Sequence, residues 1–255
     1  MGIYTRFPTA VLAAGLALAG GASLAVAAPL TVVNPGFEDT SGQTPFNEFT
    51  FGTPVGWSIY DPNIITGGAG FFTGTLMPDG INFFNDPAPE GDLVGILFNS
   101  QGRDTGEYGF VQTLSDTLTA NTRYELRVLV GNIASGTATN AVFFNLDGFP
   151  GYRVELLAGG VVVAQDVDGL VGSLLEGEFL ESVVTLDVGA AHAQMGQDLA
   201  IRLVNLNETR GVAGPPDLEV DFDDVRLSAT AIPVPGGLAL MAVAAIVVLR
   251  RRRGV

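Results

Sequence analysis

Between Pro29 and Ala231 the chain places apolar residues at every second position again and again, and interrupts the pattern with Gly, Pro, Asn and Asp. In "RYELRVLVGN", Tyr124, Leu126, Val128 and Val130 share one side of an extended chain; in "LAIRLVNLN", Leu199, Ile201 and Leu203 do the same. Successive side chains of a strand point to opposite faces, so this period marks strands with one face against a core. "YRVELLAGGVVVAQD" sets two such runs around Gly159-Gly160, and adjacent glycines supply the left-handed backbone of a two-residue hairpin turn. Helical periodicity is hard to find in this span. Its roughly 200 residues suffice for one domain with a sizeable core. The expected fold is all-β: a jelly-roll β-sandwich of about eight to ten strands over residues 28–231.

The two ends break the pattern. "MGIYTRF" carries one arginine and precedes the apolar run "PTAVLAAGLALAGGASLAVAA". That order marks residues 1–27 as a secretory signal peptide, with Ala25 and Ala27 placing cleavage after Ala27; an uncleaved anchor is the alternative. Residues 232–255 read as a Pro/Gly breaker, an apolar run from Leu238 to Leu249 and the arginines Arg250 to Arg253. As a helix, at about 1.5 Å per residue, that run covers only about 18 Å of a hydrocarbon core about 30 Å thick. The order of parts resembles the PEP-CTERM class of bacterial sorting tails, which an exosortase recognises and removes. Here Pro233-Val234-Pro235-Gly236 stands in place of Pro-Glu-Pro, which leaves the cut position open. A stop-transfer helix with its arginines left inside is the alternative. Either way the body is expected outside the cytoplasm, in the cell envelope or beyond it, with transient anchoring in the inner membrane through the tail.

Composition narrows the chemistry. With no cysteine, the fold depends on no disulfide and has no thiolate. His192 is the only histidine, so zinc sites and Ser-His catalysis are poorly supported, and it reads as a surface or hydrogen-bonded structural residue. Lysine is absent, and without Arg6 and Arg250 to Arg253 the body holds seven arginines against 27 acidic residues, or 7 − 27 = −20. Such a charge repels nucleic acid and favours divalent cations, and it also serves plain solubility. Trp57 reads as core rather than a sugar platform. Phe71, Phe72, Phe83 and Phe84, in a Gly/Pro/Asp-rich stretch, are candidates for a pocket rim.

One strand carries an anomaly. In "LEVDFDDVRL", Glu219, Asp221, Asp223 and Asp224 sit among Val220, Phe222, Val225 and Leu227. Carboxylates this close need a cation, a proton held on one of them, or full solvation. Asp221, between two apolar residues and two positions from another carboxylate, should have its pKa raised by desolvation and like charge, as a general acid requires. The alternatives are that it ligates calcium or is simply solvated.

The stretches "VVNPGFED", "PVGWSIYDPN" and the closing "DDV" resemble the galactose-binding-like jelly rolls to which many carbohydrate-binding modules belong. The resemblance implies a structural calcium where the first and last strands meet, held by Glu38 and Asp224, with Asp39 and Asp223 as further candidates. The longer succession "NPGFE", "GWSIYDPN", "APEGDLVG", "VQTLSDTLTANTRYELRVLVGN", "DGFPGYRVELLAGG", "EGEF", "GQDLAIRLVNLN" and "EVDFDDVRL" resembles the Stig cyclases. These are calcium-containing jelly-roll enzymes that rearrange and cyclise isonitrile-bearing indole terpenoids. The resemblance implies an acid on the closing strand, matched first by Asp221 and then by Asp223, with Tyr108 and Phe143 or Phe144 as pocket wall.

Three readings of function remain open on the sequence. The first is an exported, envelope-sorted, calcium-stabilised module that binds an extracellular ligand such as a matrix polysaccharide. The second is a Stig-cyclase-like enzyme in which an aspartic acid triggers cyclisation of an apolar terpenoid or indole. The third is a structural matrix component. An open face lined by Trp or Tyr would favour sugar binding, whereas a closed apolar pocket with one buried acid would favour cyclisation.

Overall fold

The structure, a computed structural model, describes residues 26–67, 72–99, 106–208 and 218–233. The expected signal peptide and sorting tail lie almost wholly outside these residues. Among the described residues no helix is long and apolar enough to cross a membrane.

The first eight β-segments are β1 (Ala28–Leu30), β2 (Thr44–Phe46), β3 (Phe49–Phe51), β4 (Ser58–Tyr60), β5 (Thr73–Leu76), β6 (Val94–Asn99), β7 (Tyr108–Thr117) and β8 (Thr122–Asn132). They are followed by β9 (Gly136–Thr137), β10 (Phe143–Phe144), β11 (Tyr152–Ala158), β12 (Val161–Val167), β13 (Glu178–Val188), β14 (Asp198–Asn205) and β15 (Leu218–Ala231). Eight of them, β6 to β8 and β11 to β15, run six residues or more, in keeping with the count expected from the alternation. The short ones are confined to stretches where Gly, Pro and Asn break the pattern.

The larger sheet runs β13-β8-β15-β6-β5-β3-β2, with β1 beside the second half of β15, and the smaller runs β12-β11-β14-β7-β4. All pairings are antiparallel, and the first and last strands lie side by side, Ala28 opposite Ala229. The chain is thus an all-β sandwich of the jelly-roll kind. At the β11–β12 hairpin, Gly159 and Gly160 take φ of 59° and 77°, which a two-residue turn imposes and a Cβ would resist.

Alternation explains the core between the sheets. Tyr124, Leu126, Val128 and Val130 of β8 meet Leu199, Ile201 and Leu203 of β14 in one buried cluster. Trp57 belongs to it, stacked on Phe37 at 5.5 Å and donating its indole N–H to the Asn34 carbonyl. His192 accepts a hydrogen bond from the Gln194 amide at Nδ1, inside a turn.

A second apolar cluster covers the outer face of the larger sheet. It combines Phe49, Leu76, Val94 and Ile96 with Phe83, Phe84, Ile133, Ala138 and Leu146 from outside the long strands. Phe83 and Phe84 are therefore buried within this layer, and Phe72 lies in the main core; none of the three is among the residues lining the recess described below. Phe71 lies outside the described residues.

Candidate active site

The pairing of β15 decides where its carboxyls point. Val220 pairs with Leu97 and Phe222 with Val130, and all four belong to the core between the sheets. The pleat therefore turns Glu219, Asp221 and Asp223 to the outer face. There Glu219 stands opposite Phe98, and Asp221 opposite Ile96 on one side and Gly131 on the other. Because a second apolar layer covers that face, Leu218 to Asp223 are all buried.

Asp221 is fully enclosed, and neither of its oxygens meets a well-formed hydrogen-bond partner. Burial holds its carboxyl well above the usual carboxylate range, and the nearby charge of Glu219 adds to the rise. Desolvation and like charge both favour the neutral form of a carboxyl so placed. Gly131 gives it room: a Cβ there would come within 3.0 Å of the Asp221 Cβ and 2.5 Å of the Phe179 ring.

Beside this carboxyl, on the same outer face, is a recess of about 280 Å³, counting the space at its mouth, lined by Phe49, Phe51, Ile96, Phe98, Phe144, Leu146 and Glu219. Six of the seven are apolar. Phe144 meets Phe49 at 6.0 Å and Phe98 at 6.4 Å between ring centres. Because that volume includes open solvent, the enclosed part is a shallow cleft much smaller than a typical small-molecule site, and its accessible surface is entirely apolar although Glu219 contributes to the lining.

The residues singled out from the sequence divide around this recess. Phe144 forms part of its wall, but Phe143 is 63% exposed, because adjacent residues of a strand face opposite ways. Tyr108 is not in the wall. It is buried in the core between the sheets, edge-on to Phe72, and burial, with the nearby charge of Glu219, raises its hydroxyl well above the usual value. Asp223 shares the outer face but is tied elsewhere: its carboxylate accepts the amides of Glu90 at 2.8 Å and Asp224 at 2.7 Å. Burial nevertheless pushes its pKa up to about 7.

The expected calcium donors meet only in part. A bulge between Asp223 and Arg226, with Asp224 at φ 47°, lets the Val225 amide reach the Pro35 carbonyl at 3.1 Å. The turn carrying Glu38 is thereby pinned against the closing strand. Glu38 Oε1 accepts the amides of Asp92 and Leu93, while Asp224 pairs with Arg226 at 2.9 Å. Asp39 plays a different part, capping the Ser41 amide at an exposed turn. Among the described residues no group of three or more His, Cys, Asp or Glu side chains is gathered for a metal. The donors suit an oxygen-seeking cation in kind, and fall short of its six to eight oxygens in number.

Two features escaped the sequence reading. Glu219 shares the parity of Asp221, so the same alternation that singled out one carboxyl puts the other beside it. Phe98 and Ile96 lie in "VGILFN", a nearly unbroken apolar run of the kind seen where a strand is covered on both faces; that run was the available sign of a layer outside the larger sheet.

Comparison with known proteins gives this geometry a context. The chain matches the HpiC1-like family, described as HpiC1 cyclase, over residues 28–228. A cyclase from Fischerella sp. TAU superposes with a TM-score of 0.70 at 35% identity, covering 82% of this chain and 100% of that one. The same figures hold for the Stig cyclase Fisc of Fischerella sp. TAU in complex with (3Z)-3-(1-methyl-2-pyrrolidinylidene)-3H-indole. A cyclase from the same source in complex with 4-(1H-indol-3-yl)butan-2-one is also 35% identical, with 81% of this chain and 100% of that one covered, at a TM-score of 0.70. No curated protein matches. With the family's span covering most of the sequence and solved cyclases matched over their full length, the chain belongs to the HpiC1-like, or Stig, cyclase family.

Proposed function

We propose that the domain is an acid-catalysed cyclase that takes an apolar, indole-bearing terpenoid into the recess on the outer face of its larger sheet. The observation that carries this reading is a fully enclosed carboxyl, which burial biases toward its neutral form, on the same sheet face as an aromatic-walled recess. The two ligands named with the Fischerella cyclases are both indole derivatives, and a wall of Phe rings accommodates a flat apolar ring system. Protonation of such a substrate creates a cation, and the faces of Phe49, Phe98 and Phe144 stabilise positive charge by their quadrupoles. The polysaccharide reading has less support. Trp57, Tyr108, Tyr124 and Tyr152 are all buried, which removes them as stacking platforms for a sugar.

Binding of 4-(1H-indol-3-yl)butan-2-one, followed by NMR, should be saturable in the wild type, weakened at least tenfold by Phe144→Ala and nearly unchanged by Phe143→Ala. Conversion of an isonitrile-bearing indole terpenoid to a cyclised isomer of equal mass should follow the same order. Wild-type protein that neither binds the ketone nor isomerises the terpenoid would overturn the proposal.

Export belongs to the same reading. The cyclase body acts outside the inner membrane, sorted there by a tail that an exosortase-type enzyme recognises. Replacing Arg250 to Arg253 by neutral residues should change its distribution on cell fractionation; an unchanged distribution counts against a sorting role for the tail.

A further inference from the structure

We propose that the β9–β10 hairpin is a lid on the recess and that Glu48 is the latch holding it shut, so that a ligand enters when this carboxylate lets go. The inference rests on the recess being the substrate site, as proposed above, and adds how that site is reached. Size calls for a moving wall. A small-molecule site encloses most of its ligand's surface, whereas the recess as it stands is a shallow cleft. Its walls differ in what holds them. Ile96, Phe98 and Glu219 stand on β6 and β15, and Phe49 and Phe51 on β3, strands with a hydrogen-bonded neighbour on each side. Phe144 and Leu146 come instead from the hairpin and its exit, and β9 and β10 pair with each other alone.

The hairpin is built to move as a unit. The Ser135 hydroxyl accepts the Leu146 amide at 3.0 Å, which ties the entry of residues 135–146 to their exit. The unit is fastened just before its entry, where the Ala134 amide donates to the Phe83 carbonyl at 2.9 Å, and again near its tip. There the Glu48 carboxylate accepts the Thr139 amide, at 3.0 and 3.2 Å to its two oxygens, and the Thr139 hydroxyl at 2.7 Å. Glu48 lies in the turn between β2 and β3, next to Phe49, so the latch joins the hairpin of one wall to the hairpin of the other. Opening also lifts Phe144 from Phe49, Phe83 and Phe98, whose ring centres lie 6.0, 6.3 and 6.4 Å away. A bound aromatic ring replaces those contacts, so the ligand offsets part of what it displaces.

Two measurements test the lid. In amide deuterium exchange, Glu48→Ala should speed exchange of the Thr139 amide by roughly tenfold or more, the scale of a lost hydrogen bond to a charged group, and leave the amides of β6 and β15 unchanged. Glu48→Gln, which keeps an acceptor oxygen, should recover part of the protection. The second measurement is the association rate of 4-(1H-indol-3-yl)butan-2-one, followed in stopped flow through the fluorescence of its own indole. The native chain has no cysteine, so a Glu48→Cys/Thr139→Cys double variant can be bridged selectively by a short bis-maleimide, with the same variant capped by a monofunctional maleimide as control. Bridging should slow association by roughly tenfold or more relative to the capped protein, whereas Glu48→Ala should associate faster than wild type; melting curves establish that each is folded. If the bridged protein takes up the ketone as fast as the capped one, or if Glu48→Ala leaves Thr139 exchange unchanged, the lid fails and the recess reading stands. If wild type shows no saturable binding, or Phe144→Ala leaves binding unchanged, the recess reading falls and this inference with it.

Discussion

Asp223 shows how one side chain can set the pH behaviour of this fold. Its carboxyl is completely buried and accepts two backbone amides, and burial outweighs those bonds, so its pKa is pushed up to about 7 from an ordinary value of 3.8. The folded state therefore binds the proton more tightly than the unfolded one. The stability contributed this way is fully present below pH 3.8 and is lost as pH rises through about 7. Asp61, Asp79 and Glu107 have lowered values, Asp61 and Asp79 mainly through hydrogen bonds from their own turns and Glu107 through Arg153 and Tyr60. Their contribution is lost instead as pH falls below about 4. Thermal melts should show the melting temperature rising as pH is lowered from 8 to 5, then falling below 4. Asp223→Asn should flatten the limb between 5 and 8. A wild-type curve that climbs steadily from pH 5 to 8 would contradict the assignment.

At the level of elements, the junction of the N-terminal turn with the bulge of β15 is the place to look for a cation. Glu38 and Asp224 flank it, and a bound ion would tie the two chain ends of the sandwich together only in the folded state, which stabilises by mass action. The expected result is that added Ca²⁺ raises the melting temperature and a chelator lowers it. Glu38→Ala should abolish the response, and Asp39→Ala should leave it intact. A wild-type melt indifferent to both additions would remove calcium from the description. The long strands around this junction were legible in the sequence because each alternates, as Tyr124 to Val130 does, and the two glycines at 159 and 160 announced their hairpin. The site was legible only in part. Asp221 could be picked out by its apolar neighbours, since burial of a strand's two faces follows from parity. Phe143 could not be told from Phe144, nor Tyr108 assigned to a face, because those choices depend on which strands pair. Short strands such as β3 and β10, which supply the wall of the recess, are held by their neighbours rather than by their own propensity.

For the molecule as a whole, charge and chain order matter most. All five arginines among the described residues are in ion pairs, Arg123 with Asp187 and Arg153 with Glu107 and Glu155 among them. Apart from the buried Glu219, Asp221 and Asp223 of β15, most of the remaining carboxylates face water, and that negative surface repels polyanions. The position of β15 has a further consequence, in time rather than in space. It is inserted between β8 and β6, yet it is the final strand of the body to be synthesised, and its partner β1 is the first. A nascent chain therefore cannot close its larger sheet until nearly the whole body has been made, and pairings of such long sequence separation are slow to form. A protein ending at residue 217 should show no cooperative thermal transition and should bind a hydrophobic dye, whereas one ending at 233 should melt sharply. Until its last fourteen-residue strand arrives, the polypeptide is an open chain more than it is a folded domain, and the export proposed above would have that interval in which to thread it across a membrane.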